Sequence, residues 1–278
     1  MMEKPLSELL HWVKERESIR AKKEAGLPKP WTNDPILRDY KFCNVRRNDD
    51  RVTRWIHDHW LHPYADSEHI TFAMCVARIF NWPETLALVE DLVFNEVWFP
   101  ETMRERLKKY RDAGNKVFTG AYTVSTCGRA MDKIDYVIDL VFTPLRKTIT
   151  NADGLETLEE VWADLCQYQG FSSFMAGQVV ADLKYIEPWR SMPDFKTFAP
   201  LGPGSIRGLN RLYGRPLGGS ITQVQGSKYL HEIQAIILNE LALDLPAHDV
   251  QNCMCEFDKY MRLKYDGGKV RSKYPGTV

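Results

Sequence analysis

No run of about twenty apolar residues, the length a membrane span needs, occurs anywhere in this 278-residue chain. A charged start followed by an apolar stretch and a cleavage site is also missing, so neither secretion nor a membrane partner is expected. Net charge is absent too, since 37 Lys and Arg balance 37 Asp and Glu. With no global field, attraction to a polyanion has to come from a local basic face. The six cysteines, at 43, 75, 127, 166, 253 and 255, include no CxxC pair. That removes the usual zinc and dithiol spacings and fits reduced thiols in a cytoplasm. Finally, no GxxxxGK[ST] occurs: Gly202-Pro203-Gly204-Ser205 and Gly218-Gly219-Ser220 both lack the lysine. Phosphoryl transfer of the P-loop kind needs that lysine and the loop amides to hold a nucleotide's phosphates, so it is not expected here.

What the chain does have is helical periodicity. Leu6, Leu9, Leu10 and Val13 mark one face of a helix within the first thirty residues, stopped by Gly and Pro. Helical spacing returns at 49–62 (Val52, Trp55, Ile56) and 67–81 (Ile70, Phe72, Val76, Ile79, Phe80), and Pro83 suits the first turn of the next helix. Further helices are expected at about 100–113, 129–141, 155–168, 173–184, 205–213, 226–242 and 248–264. Trp55, Trp162 and Phe174 sit at apolar helical positions and are expected in the core. Only 116–123 alternates like a strand. The expected fold is therefore all-α, multi-helical and two-lobed. Its expected organisation is an N-terminal helical extension (1–35), a body (36–265) with lobes 36–150 and 151–265 divided at Asn151-Ala152-Asp153-Gly154, and a flexible basic tail (266–278).

The densest chemistry lies in 171–214. Two acids (Asp182, Asp194), Lys184, a Gly202-Pro203-Gly204-Ser205 loop, Arg207 and Arg211 fall within some forty residues, a set that suits an anionic, phosphate-bearing substrate. Residues 155–184 have the layout of a helix-hairpin-helix element, whose hairpin amides can hold a nucleic-acid phosphate. The hairpin, Tyr168-Gln169-Gly170-Phe171, has one glycine where two are common, and an ordinary core hairpin reads equally well. In helix-hairpin-helix DNA glycosylases a catalytic aspartate follows the second helix after a short proline-containing loop. Asp194 after Pro193 resembles that placement, and the plain alternative is a helix cap. His57, His59, His62 and His69 with Asp58 and Asp66 have a metal site's composition. Yet His57 and His59 point about 200° apart on a helix, which favours structural histidines and no metal. Cys127 could add to C6 of a uracil ring, although a lone cysteine is usually packing.

Five separated segments carry a closer resemblance: KFCNVRRNDDRVTRWI (41–56), NKVFTGAYTVS (115–125), ADLKY (181–185), GPGSIRGLNRLYG (202–214) and HDVQNCMCEFDKYMR (248–262). Together, over about 36–274, they resemble the helical domain named for phage 5-hydroxymethyluracil DNA kinases. That domain is shared with predicted α-glutamyl/putrescinyl thymine pyrophosphorylases, also described as amino acid:DNA transferases. The resemblance implies a glycosylase-like fold and a place in thymine hypermodification. A linked DNA kinase makes a pyrophosphate ester of 5-hydroxymethyluracil in double-stranded DNA, and a transferase replaces the pyrophosphate with an amino acid (glycine, serine or glutamate) or putrescine. The base would be flipped out for this, in a host cytoplasm if the chain is phage-encoded.

On that reading Arg46, Arg47 and Arg51, together with Lys184, Arg207 and Arg211, face the pyrophosphate, with at least two of the first three on a common helical side. Gly202, Gly204 and Ser205 would bring backbone amides to an oxyanion. Asp194 is the first choice for the base that deprotonates the amine and Asp182 the second, while Asp49 and Asp50 orient arginines or hold a metal. Asn44, Tyr122, Tyr168, Gln169, Gly170 and Tyr185 would contact the base or the DNA. No cofactor is demanded, and Mg²⁺ beside the pyrophosphate stays an alternative to neutralisation by arginines alone. The rival readings are a DNA glycosylase or lyase of the same fold and a non-catalytic DNA-binding partner of the kinase.

Overall fold

The computed structural model describes residues 1–120, 124–151 and 154–268. Among them every regular element is helical: α1 (Glu3–Glu24), α2 (Pro35–Asp39), α3 (Arg51–Ile56), α4 (Ile70–Phe80), α5 (Pro83–Val93), α6 (Pro100–Asp112), α7 (Lys133–Tyr136), α8 (Thr143–Thr148), α9 (Leu158–Leu165), α10 (Ser173–Leu183), α11 (Pro203–Leu212), α12 (Gln223–Leu241) and α13 (Ala247–Tyr265). Short 3-10 turns cover Arg47–Asp49 and Trp189–Ser191, and π-helical turns cover His57–Leu61 and Val137–Phe142. The starts obey local chemistry. Pro35, Pro83, Pro100 and Pro203 occupy first helical turns, where a missing N–H costs nothing. Asp34, Asp132, Thr157 and Thr222 cap the helices that follow them.

The chain forms two compact units, Met1–Asp50 together with the chain from Lys196 onward, and Arg51–Phe195. The division thus lies at 50/51 and 195/196 instead of near 151. Asn151 belongs inside the second unit, where its Oδ1 accepts from Thr71 Oγ1 at 2.9 Å and its Nδ2 donates to Ser67 O at 2.9 Å. Nor is 1–35 an appendage. Leu9, Trp12, Val13 and Ile19 of α1 are buried in one core with Leu230, Ile233 and Ile237 of α12 and Val250, Phe257 and Tyr260 of α13. Each such buried apolar side chain contributes about 1.5–3 kcal/mol.

The second unit is built round α4, all eleven residues of which are buried. The expected strand does not form in the described part of 116–123. Thr119 N–H donates to Phe80 O and Thr85 Oγ1 donates to Val117 O, so helix ends take up the groups a partner strand would need. Phe174 is 39% exposed and Trp55 and Trp162 are half-buried, so these three lie at the edge of the core.

Candidate functional site

In the second unit the fully buried Asp182, near the end of α10, receives Arg78 from the middle of α4. Arg78 Nε lies 2.5 Å from Oδ2, and Nη2 bonds Oδ1. The remaining Arg78 donors reach Asn81 Oδ1 at 3.1 Å and Thr53 Oγ1 at 3.2 Å. His57 Nε2 stands 3.1 Å from Asp182 Oδ1, and its ring meets Tyr185 and His62 at centroid distances of 5.4 and 5.7 Å. Burial alone would raise the Asp182 carboxyl, but the Arg78 charge and the hydrogen bonds from Arg78 and His57 outweigh it. The group is held well below the usual carboxylate range. Asp182 is therefore a saturated anion that orients a histidine.

Asp194 has a different setting. Leu158 N–H donates to its Oδ1 at 2.8 Å and Glu159 N–H to its Oδ2 at 3.0 Å, so it caps α9 from 36 residues away. Lys184, also buried, donates through Nζ to Phe195 O at 2.8 Å and sits 4.1 Å over the Phe195 ring. It ties the loop that carries Asp194 to the end of α10. Between α9 and α10, Gly170 adopts φ +92°, and a Cβ there would stand 3.0 Å from Val141 Cγ1. Gln169 Nε2 donates to Tyr136 OH at 3.1 Å, and Tyr168 OH to Thr148 O at 3.4 Å. Tyr122 lies outside the described residues.

In the first unit a second carboxylate collects cations. Asp258, 1% exposed, accepts Arg207 Nε and Arg211 Nε at 2.9 Å each, and Arg262 Nε stands 3.4 Å away. Arg207 and Arg211 lie one turn apart on α11, and Arg211 also reaches Asp266 at 2.6 Å. The loop ahead of α11 is not the open cradle expected of it. Gly202 N–H donates to Ser205 Oγ at 3.0 Å, and buried Ser205 returns its hydroxyl to Gly202 O. A Cβ on Gly204 would stand 2.3 Å from Cys255 Sγ, and one on Gly208 would stand 2.2 Å from Met254 O. These glycines let α11 press against α13.

Segment 41–50 is a strap over α13. Cys43 N–H donates to Glu256 Oε2 and Arg47 N–H to Asp249 Oδ1, each at 3.0 Å. Asn44 is fully engaged. Its N–H donates to Asp50 Oδ1 and its Nδ2 to Asp49 O, while its Oδ1 accepts from Arg16 and its carbonyl from Asn252. Burial pushes the Asp50 carboxyl up to about 6 against the Asn44 N–H and the Arg47 charge. Arg46 Nη1 donates to Asp244 O. Because Asp50 is extended, Arg46 and Arg47 share no helix with Arg51, and the expected common helical side does not exist. Among the described residues no group of three His, Cys, Asp or Glu is placed to hold a metal ion.

A family model described as the helical domain of 5-hmdU DNA kinase matches residues 3–269. The chain belongs to this helical-domain family. A curated relative, the 5-hmdU DNA kinase of Bacillus phage SP10, is 25% identical over 276 residues, covering 84% of this chain and 41% of the relative. The chain thus spans about two fifths of the length of the curated relative it matches. No solved structure matches it. The helical domain includes α1, as the burial of that helix requires, whereas the segments that carry the resemblance place its start near 36. No helix among its described residues is long and apolar enough to cross a membrane.

Sequence reasoning passed over three residues that organise this helical domain. Arg78 is the lone charge in the run ITFAMCVARIF, and a single cation inside an apolar helix is itself a signal of a buried anion. Asp258 precedes Arg262 by four residues, a spacing that pairs them. Gly208 stands four residues after Gly204, a spacing that signals a close helix contact. Their partners on other helices left no trace in local pattern.

Proposed function

We propose that this helical domain acts in the hypermodification of thymine in phage DNA, as the transferase that displaces pyrophosphate from 5-pyrophosphoryloxymethyluracil with an amino acid or polyamine. The observation that carries the reading is the match to the helical domain over residues 3–269 in a chain with no GxxxxGK[ST] loop. These residues hold no P-loop of their own, and a step that consumes the kinase's product suits them. The substrate is a modified base in double-stranded DNA, turned out of the stack so that its C5 methylene can be reached. The host cytoplasm supplies that DNA.

In the reaction the bond from the C5 methylene to oxygen breaks, and pyrophosphate departs with the electron pair. The amine's lone pair forms the new C–N bond, and its proton passes to a carboxylate. Cations aimed at the leaving group lower that barrier most. Arg207, Arg211 and Arg262 are assigned this role, since three guanidiniums round Asp258 retain a positive surplus and Arg207 and Arg262 are 40% and 38% exposed. Asp194, first choice for the base from the sequence, caps α9 in the second unit, and its role as base is tested by substitution. Asp182, saturated by Arg78 and His57, is a positioning residue, and Lys184 holds the Asp194 loop.

The test is mass spectrometry of nucleosides digested from pyrophosphorylated 5-hydroxymethyluracil DNA after incubation with the protein and a pool of glycine, serine, glutamate and putrescine, with Mg²⁺ and with EDTA. A nucleoside heavier by one amine, with pyrophosphate released in step, is the expected result. Free base and alkali-labile sites would replace the reading with a glycosylase, and unchanged nucleosides in every condition would leave only DNA binding.

A further inference from the structure

In the second unit, α3 with its π-helical turn and the first turn of α5 border a groove of about 480 Å³. Its apolar lining is Trp55, Pro83 and Ala87. Its charged lining is two arginines, Arg51 and Arg54, and two carboxylates, Asp58 and Glu84. All four charged side chains are exposed. His59 lies flat on Trp55, with ring centroids 4.4 Å apart and planes 8° from parallel, and its Nδ1 stands 2.9 Å from Trp55 O. A hydrophobic position that the helical pattern would bury is thus kept at the edge, braced by its own helix.

The charge pattern selects the ligand. A run of phosphates would gain the arginines but face Asp58 and Glu84, and the two effects oppose each other. A lone carboxylate or a lone ammonium would satisfy half the lining and leave the other half unused. A small molecule that carries both charges engages all four groups, with its carboxylate on guanidinium and its ammonium on carboxylate, while an apolar portion covers indole and proline. We infer that this groove binds a free α-amino acid, carboxylate toward Arg51 and Arg54 and ammonium toward Asp58 and Glu84. This deepens the transferase reading by giving its nucleophile a docking place. It rests on that reading for the amino acid's role, whereas the binding itself is measured without DNA.

The experiment is a titration of ¹⁵N-labelled protein with glycine, L-serine and L-leucine, following the Trp55 indole N–H by NMR and the affinity by calorimetry. Acetate, methylammonium and a short single-stranded oligonucleotide serve as comparison ligands. The amino acids are expected to saturate the Trp55 shift at about 0.1–10 mM, the range open to ligands of so few atoms. Arg51→Ala and Glu84→Gln should each weaken binding about tenfold while the rest of the spectrum stays in place, and acetate and methylammonium should bind at least as weakly. An unmoved Trp55, equal affinity in both variants, or occupation of the groove by the oligonucleotide instead would overturn the inference. Amino-acid transfer to DNA without binding here would sink the groove alone. Binding here with no transfer would uphold the groove and sink the transferase.

Discussion

Each unit contains a fully enclosed carboxylate that gathers arginine, and the two are built for different ends. Asp182 takes Arg78, which is 1% exposed, and His57, which is buried, while Asp258 takes Arg207 and Arg262, which keep more than a third of their side-chain surface in water. In the first case every charge is enclosed, and the attraction acts in a medium that screens it little. In the second the acid is enclosed but two of its three arginines keep more than a third of their surface in water, with one more positive charge in the trio than the two acids Asp258 and Asp266 cancel. A closed pair fixes helices, and an open one leaves guanidinium for an anion. Burial of the cation, more than the presence of the pair, separates a brace from a binding surface.

The widest gap should appear when the two acids are neutralised. Asp182→Asn leaves Arg78 buried without its counter-charge and should cost about 3–5 kcal/mol in urea unfolding. Asp258→Asn lets Arg207 and Arg262 rehydrate and should cost about 1 kcal/mol. Equal losses would erase the distinction. The Asp182 contribution should persist from neutral pH down to the ordinary carboxylate range and fade only as pH falls through its depressed value. Next in size, Gly208→Ala drives a methyl against Met254 O and should cost about 1–3 kcal/mol. If the open cage depends on the close approach of α11 to α13, this variant also loosens the Arg207 and Arg211 pairs, which a weaker salt dependence of DNA binding would report.

Asp194 offers an intermediate case, because its partners are backbone N–H groups. Asp194→Asn should cost about 1 kcal/mol and lower hydrogen-exchange protection at Leu158 and Glu159. If Asp194 is the base, nucleoside transfer falls far more than that loss of folded protein explains, and an active Asp194→Asn protein would end the assignment. Asp50 carries the opposite sign from Asp182. With its folded carboxyl raised to about 6, the folded state binds its proton more tightly, so stability declines as pH rises from about 4 to 6. Asp50→Asn should therefore melt about 2 °C above the parent at pH 8 and converge with it below pH 4. Smallest of all, Arg207→Ala should change stability by no more than about 0.5 kcal/mol while reducing the salt slope of DNA binding, as a surface cation does.

The elements were largely legible. A 3.6-residue rhythm, prolines at first turns and Asp or Thr caps located α4, α5, α6, α10, α12 and α13 within a few residues, because these are local rules. The site was legible in its residue types more than in its geometry. Arg207, Arg211, Asp182 and Asp194 stood out by sequence proximity, yet Asp182 answers to Arg78, 104 residues away, and the first two arginines answer to Asp258, 51 and 47 residues away. Gly202 and Gly204 had the composition of a phosphate loop, and only the Gly202 bonds to Ser205 and the approach of α13 to Gly204 show that they serve the start and packing of α11. The arginines at 46, 47 and 51 read as placing at least two on a common helical side, but the extended backbone at Asp50 breaks that helix.

By itself the amino-acid sequence determined that this protein is all-helical, where most of its helices begin, and which family it resembles, since periodicity, capping and motif are properties of neighbours along the chain. The tertiary structure alone decided which carboxylate is a brace and which arginines stay in water. Charge and burial depend on what a distant segment brings into contact, and desolvation acts only once that contact is made.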